Sequence, residues 1–270
     1  MALPNFLIIG AMKAGTTTLY DDLCRFSSVY MPPEKEPEGL LQADEPAQLR
    51  RYERCFSAAK AGQLVGEAST AYAKRPEHEG VAETAARILG RDLKVIYLMR
   101  DPVRRIVSQY QHEVGLGLEQ RPISTAVRED PRYVAFSRYG YQIEPWLDVF
   151  GAEQICLLNF EAYVARRSET LARVAAFLGI DEPIPAELGG ARNASSGKAV
   201  AKGLWGRVAR SQFYLYRIKP YLPISLRDAA KDRLLPKAVE ASDQRLDSET
   251  EAWIRTQLTP ADLRTYEKAR

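Results

Sequence analysis

A short apolar run that breaks into a glycine-bounded loop, and then into a helical pattern, constrains this chain more than any other feature. Phe6-Leu7-Ile8-Ile9 leads directly into Gly10-Ala11-Met12-Lys13-Ala14-Gly15-Thr16-Thr17-Thr18. Leu19, Leu23 and Phe26 then recur at the i, i+4, i+7 spacing of a helix. An unbroken apolar run of this kind reads as a strand buried on both faces, as in a parallel sheet. A glycine loop that opens a helix presents backbone N–H groups with no helical partner, at the positive end of the helix dipole. Lys13 adds a full positive charge, and Thr16, Thr17 and Thr18 add hydroxyl donors. Residues Ala11, Met12, Lys13, Ala14, Gly15, Thr16, Thr17 and Thr18 are therefore expected to form an anion site, with phosphate as the expected ligand.

The loop departs from the nucleoside-triphosphate pattern. Aligning Gly10 and Gly15 with the two glycines of a Walker loop puts Thr16 where the lysine belongs, and the chain's lysine lies inside the loop instead. A kinase or nucleotide hydrolase stays open as an alternative, though without its usual contact to the β- and γ-phosphates. A second unit decides the direction of the reading. Lys94–Met99 is another apolar, β-branched run, expected as a second buried strand. It ends in Arg100-Asp101-Pro102, in which Asp101 suits a helix N-cap and Pro102 the first helical position. Arg100 falls at the carboxyl end of that strand, where open α/β sheets bind ligands. Arg104 and Ser108 share a face of the following helix, and Arg100 and Ser108 are candidates to converge on one more phosphate. Arg105 is expected on a solvated helix face.

The two segments together, Gly10 to Thr17 and Arg100 to Tyr110, resemble the nucleotide signatures of sulfotransferases that use 3′-phosphoadenosine 5′-phosphosulfate (PAPS). Gly140-Tyr-Gln-Ile-Glu-Pro-Trp-Leu147, Gln154–Glu161 and Phe177-Leu178-Gly179 add to the likeness, which covers roughly residues 4–200. The resemblance implies that the first loop holds the 5′-phosphosulfate and that Arg100 and Ser108 hold the 3′-phosphate. It implies 3′,5′-adenosine bisphosphate as the product and no metal. Lys13 would then offset charge building on the bridging oxygen of the leaving nucleotide.

The likeness is nearest the carbohydrate branch, similar to the heparan sulfate sulfotransferases. That branch has a glutamate base in a Lys-Glu-x-x-Phe-Phe pattern, and this chain has Lys35-Glu36-Pro37-Glu38-Gly39-Leu40-Leu41 at the matching distance. Glu36 is thus the implied general base. Glu67, in Gly66-Glu67-Ala68-Ser69-Thr70-Ala71-Tyr72, is a second carboxylate candidate, either as base or as a group holding the strand end by hydrogen bonds. The branch's lysine in that segment is Ala68 here. Lys198, within Arg192–Lys198, is the candidate for the family's mobile basic loop. His78 and His112 read as ordinary polar residues. The implied acceptor is a hydroxyl or amine of a carbohydrate, a lipid-linked glycan or another small alcohol. The altered segments at Ala68 and Leu40-Leu41 also leave open a nucleotide-binding scaffold that has lost catalysis.

Composition adds bounds. At 270 residues and 46% hydrophobic, the chain has ample core for one α/β domain, and a net charge of only +3 argues against nucleic acid as a partner. Residues 192–237 are basic and aromatic, which suits helix packing with a basic outer face, or an anionic glycan or membrane surface. Three scattered cysteines suit a reducing compartment, and no signal peptide is visible at the start, so a cytoplasmic, bacterial enzyme is expected. The expected fold is a P-loop-like parallel β-sheet flanked by helices, with a helical C-terminal region. It is expected as a single domain over 1–270, with its core at 4–200 and a helical part at 204–270. The strands fall near 5–10, 64–67, 93–99 and 154–159. Helices fall near 15–27, 45–60, 80–90, 102–115, 140–150 and 168–178, with a loop at 30–45 facing the acceptor. Leu246–Glu251 and Thr259–Asp262 read as helix starts.

Overall fold

A computed structural model describes residues 2–186, 188 and 246–269. Five strands form one sheet: β1 (Phe6–Gly10), β2 (Val29–Tyr30), β3 (Leu64–Ala68), β4 (Lys94–Met99) and β5 (Ile155–Asn159). The order across the sheet is β2-β3-β1-β4-β5, and every described pairing is parallel. Such a sheet is covered on both faces, and the apolar runs reflect it: Phe6 to Ile9 and Val95 to Met99 are fully buried. In register, Phe6 pairs with Gly66 on one side and Lys94 on the other. A Cβ at Gly66 would overlap the Phe6 ring and the Met31 sulfur, so glycine makes room over β3 for a side chain of β1 and for the one that follows β2.

The helices are α1 (Thr16–Leu23), α2 (Pro46–Arg54), α3 (Val81–Leu89), α4 (Pro102–Gly115), α5 (Ile123–Glu129), α6 (Arg132–Ala135), α7 (Tyr139–Phe150), α8 (Phe160–Ala165), α9 (Arg167–Leu178), α10 (Ser248–Gln257) and α11 (Pro260–Lys268). Their starts follow local chemistry. Asp101 caps α4 by accepting from the Arg104 N–H at 2.9 Å, and Asn159 caps α8 by accepting from the Ala162 N–H. Thr259 and Asp262 form a reciprocal capping box at the start of α11. Among the described residues no helix is long and apolar enough to cross a membrane.

The described residues group into two compact units. One comprises 2–106, 131–186 with 188, and 252–269, and carries the whole sheet. Within it α7 packs on α11 so closely that a Cβ on Gly140 would lie 2.9 Å from the Ala261 carbonyl carbon. The other comprises 107–130 and 246–251. It is held by polar contacts: Ser124 donates to Asp247, Arg128 pairs with Glu249 at 3.1 Å, and Arg121 pairs with Glu119 and Glu129 at 2.6 and 3.0 Å.

Three expectations are corrected. Helix α1 ends at Leu23 rather than near 27, because its last N–H groups turn back on closer carbonyls: Arg25 on Asp22 at 3.1 Å and Phe26 on Leu23 at 3.2 Å. The short helices α5, α6 and α8 were not foreseen; their few residues carry too little periodicity. Arg105 is not solvated. It is fully buried, its Nε donates to Ser137 Oγ at 2.5 Å and an Nη donates to the Tyr133 carbonyl at 2.7 Å. Ser137 Oγ in turn donates to the Pro102 carbonyl at 3.2 Å, so this guanidinium ties the start of α4 to the α6–α7 turn.

Candidate active site

The chain leaves β1, visits β2 and β3 on one side, and crosses to β4 and β5 on the other, so the sheet's switch point lies at β1. Ligands of open α/β sheets sit outside the carboxyl ends of strands at such a point. The loop from Ala11 to Gly15, Ala68-Ser69 and Arg100 all lie there, at the ends of β1, β3 and β4.

The Ala11–Gly15 loop is held by backbone hydrogen bonds. The Ala11 N–H donates to the Leu98 carbonyl at 2.6 Å and the Ala14 N–H to the Ala11 carbonyl at 3.1 Å. Lys13 adopts a left-handed backbone, φ 68°, which costs on the order of 1 kcal/mol for a residue with a Cβ. Gly15 is left-handed too, φ 92°, and a Cβ there would lie 2.6 Å from the Phe160 ring. Glycine is thus required twice over, by backbone and by neighbour. Thr16 and Thr17 open α1, where a helix has no acceptors for its first N–H groups. Thr16 and Thr18 are buried.

Arg100 stands over the same ring, its guanidinium carbon 5.1 Å from the Phe160 centroid. One Nη donates to the Lys13 carbonyl at 3.4 Å, while the buried Nε has no hydrogen-bond partner. Burial lowers its pKa from the ordinary arginine value, which means that an anion at this guanidinium would be welcome. Glu161 Oε1 accepts the Asp101 N–H at 3.1 Å, and the Arg100 carbonyl accepts from Tyr139 Oη at 2.6 Å. Phe160 and Glu161 therefore place Arg100, a role their sequence context did not announce. Ser108 lies on α4, at a position that groups with the second unit. Lys198 and the basic segment lie outside the described residues.

The two carboxylate candidates have different surroundings. Glu36 sits in the segment before a 3₁₀ turn at Gly39–Gln42, with a left-handed backbone, φ 58°. Its side chain is 39% exposed, receives Thr70 Oγ1 at 3.4 Å, and lies 3.7 Å from Lys35 Nζ. Glu67 is fully buried. Tyr52 donates to one of its oxygens, and Ser69 Oγ donates to the other at 2.5 Å. Burial pushes its pKa up to about 7, against the opposing pull of those hydroxyls. The same cluster grips the Glu36 segment. The Glu36 N–H donates to the Ala68 carbonyl at 3.2 Å, Glu38 N–H to Ser69 Oγ at 3.2 Å, and Leu40 N–H to Tyr72 Oη at 3.2 Å. Sequence reasoning missed Tyr52, Tyr72 and Lys35 as parts of this arrangement.

The site is thus built on an all-parallel sheet with a glycine-bounded loop, a strand-end arginine and an accessible carboxylate at its carboxyl edge. The family can be named: a sulfotransferase domain model matches residues 3–188, and the chain belongs to that family. The membrane-associated sulfotransferase kil1 of Dictyostelium discoideum is 30% identical over 118 residues, 42% of this chain and 24% of that protein. The mouse heparan sulfate glucosamine 3-O-sulfotransferase 3B1 is 28% identical over 189 residues, 66% of this chain and 46% of that protein. The matches thus span less than half the length of these curated relatives. A sulfotransferase from Alicyclobacillus acidocaldarius superposes with a TM-score of 0.60 at 27% identity, covering 81% of this chain and 94% of that one. The sulfotransferase domain from the curacin biosynthetic pathway shares the fold, with a TM-score of 0.52 at 20% identity over 95% of this chain and 98% of that one.

Proposed function

We propose that this chain moves a sulfuryl group from PAPS to an acceptor hydroxyl or amine. The observation that carries the reading is the pairing of the Lys13 loop with a half-buried Arg100 whose buried Nε lacks a partner. A buried, unsatisfied guanidinium N–H is costly unless an acceptor completes it, and a phosphate oxygen is such an acceptor. The residues present fit the donor. Thr16 and Thr17, with their N–H groups, would hold the 5′-phosphate, and Arg100 the 3′-phosphate. Ser108 and Lys198 keep the donor roles that the family resemblance assigns them.

When bound, PAPS supplies an activated sulfuryl group joined through oxygen to its 5′-phosphate. Lys13 offsets the negative charge left on that phosphate oxygen as the sulfur–oxygen bond breaks. Glu36 takes the proton from the acceptor as the new oxygen–sulfur or nitrogen–sulfur bond forms. Its exposure leaves it open to an acceptor, whereas Glu67 has both oxygens occupied inside the protein. Glu67 is a positioning residue: it anchors Ser69 and Tyr52 beneath the segment that presents Glu36. The acceptor class we assign is a carbohydrate or another small alcohol, supported by the likeness to the heparan sulfate relatives.

Calorimetric titration tests the donor reading. 3′,5′-Adenosine bisphosphate is expected to bind at micromolar concentration, with little response to ATP and magnesium. Glu36→Gln is expected to keep that binding while turnover on an acceptor panel falls by at least a hundredfold. Preference for ATP with magnesium would overturn the donor assignment, and bisphosphate binding lost with Glu36 would overturn the base assignment.

A further inference from the structure

Lys35 reaches the first turn of α1, directly after the Ala11–Gly15 loop whose Lys13 carbonyl Arg100 contacts. Its Nζ donates to Thr17 Oγ1 at 2.7 Å and pairs with Glu36 Oε1 at 3.7 Å. Thr17 belongs to the first turn of α1, so this ammonium stands at the positive end of that helix. A cation at a helix N-terminus opposes the dipole and is unfavourable there on its own. The Glu36 carboxylate beside it offsets that cost in part, and an anion seated at the helix end would offset more of it.

The approach is built in by the backbone. Glu36 and Glu38 are both left-handed, φ 58° and 54°, flanking Pro37. Two non-glycine residues in that region are strained, and the hydrogen bonds to Ala68, Ser69 and Tyr72 over-determine them. The chain accepts strain to turn Lys35 toward Thr17 while Glu36 stays accessible. The Lys35 side chain is 23% exposed, sheltered enough for its charge to be felt.

We propose that Lys35 is a second cation of the donor site, contacting the transferring sulfuryl group on its acceptor side while it holds Glu36 beside the acceptor. The inference rests on the donor reading given above. The sulfuryl group passes from the Lys13 side to the Glu36 side during transfer. Lys13 and Lys35 then follow the charge at its two ends.

The donor and its product differ by the sulfuryl group alone, which makes the test selective. Lys35→Met and Lys35→Arg are titrated with PAPS and separately with 3′,5′-adenosine bisphosphate, and turnover is measured with an accepted alcohol. Lys35→Met is expected to weaken PAPS at least tenfold, change the bisphosphate by less than threefold, and lower kcat at least tenfold. Lys35→Arg is expected to recover most of both losses. Equal change for the two nucleotides, including no change in either, would overturn the proposal, since a merely structural lysine acts on both alike. Should Lys35→Met fail to melt cooperatively, Lys35→Gln carries the same comparison. Wild-type protein that binds neither nucleotide would instead sink the donor reading.

Discussion

Glu67 shows how one buried group can set both a loop and a pH response. Its carboxyl is fully buried, and burial raises its pKa to about 7 from an ordinary 4.5. Below about pH 4.5 it is protonated in both folded and unfolded chains and carries no penalty. As pH rises toward 7 the unfolded chain ionises freely while the folded one resists, so the stability present in acid is lost through that window. Above about pH 7 the loss is complete, on the order of 3 kcal/mol. Glu67→Gln removes the titration. Its stability relative to the parent, from urea unfolding, is expected to improve from pH 5 to pH 8 by up to that amount. A difference that does not move with pH would mean that Glu67 ionises as an ordinary carboxyl. The identity of this residue was readable as a candidate, but its environment was not. Tyr52 lies 15 residues away in sequence and reaches Glu67 only because α2 folds back over β3. Lys35 and Thr17 are 18 apart and meet in the same way. The positions of the loop and Arg100 at the ends of β1 and β4 were legible because each directly follows its strand in sequence.

Helix α1 is anchored by a buried ion pair rather than by its own length. Eight residues are too few for a helix to persist alone. Asp22, fully buried, accepts from Arg167 Nε and Nη at 2.8 and 2.6 Å and from Tyr163, which fixes α1 against α8 and α9. Breaking such a pair from one side leaves a buried charge uncompensated. Arg167→Ala is expected to cost about 3–5 kcal/mol in urea unfolding. The double variant Asp22→Leu, Arg167→Met is expected to cost less than that single change, because no charge stays behind. A double variant that is worse than Arg167→Ala would mean the pair is a net source of stability. None of this was visible in the residue pattern, where Asp22 reads as a polar position on an amphipathic helix. Element order, by contrast, was legible wherever a cap or a β-branched run marks a start: Asp101-Pro102, Thr259 with Asp262, and the four longer strands. The two-residue β2 and the short α5, α6 and α8 carry too few residues for periodicity to register. Arg105 misled for a related reason, since a charged residue in a helix says nothing of the serine and carbonyl waiting for it.

At the scale of the chain, two of the passages between the compact units, after Ile106 and after Glu251, fall inside the helices α4 and α10. Domain boundaries ordinarily fall in exposed, flexible connections where few contacts cross. A helix interrupted at its middle would lose backbone hydrogen bonds on both sides, and this couples the unfolding of the parts it belongs to. We therefore expect one cooperative thermal transition, in keeping with a single sulfotransferase domain, with calorimetric and van't Hoff enthalpies in agreement. A donor-site ligand then stabilises the whole by mass action. At a hundredfold excess over its Kd, 3′,5′-adenosine bisphosphate adds about 2.7 kcal/mol. At roughly 2–4 °C per kcal/mol for a chain of this size class, the single transition moves up by roughly 5–10 °C. Differential scanning calorimetry with and without the bisphosphate reads both quantities at once. A second transition that the ligand leaves in place would show that the second unit unfolds on its own, and the single-domain expectation would fall while the donor site stood. One transition that moves as a whole would tie the anion loop to the stability of the entire chain.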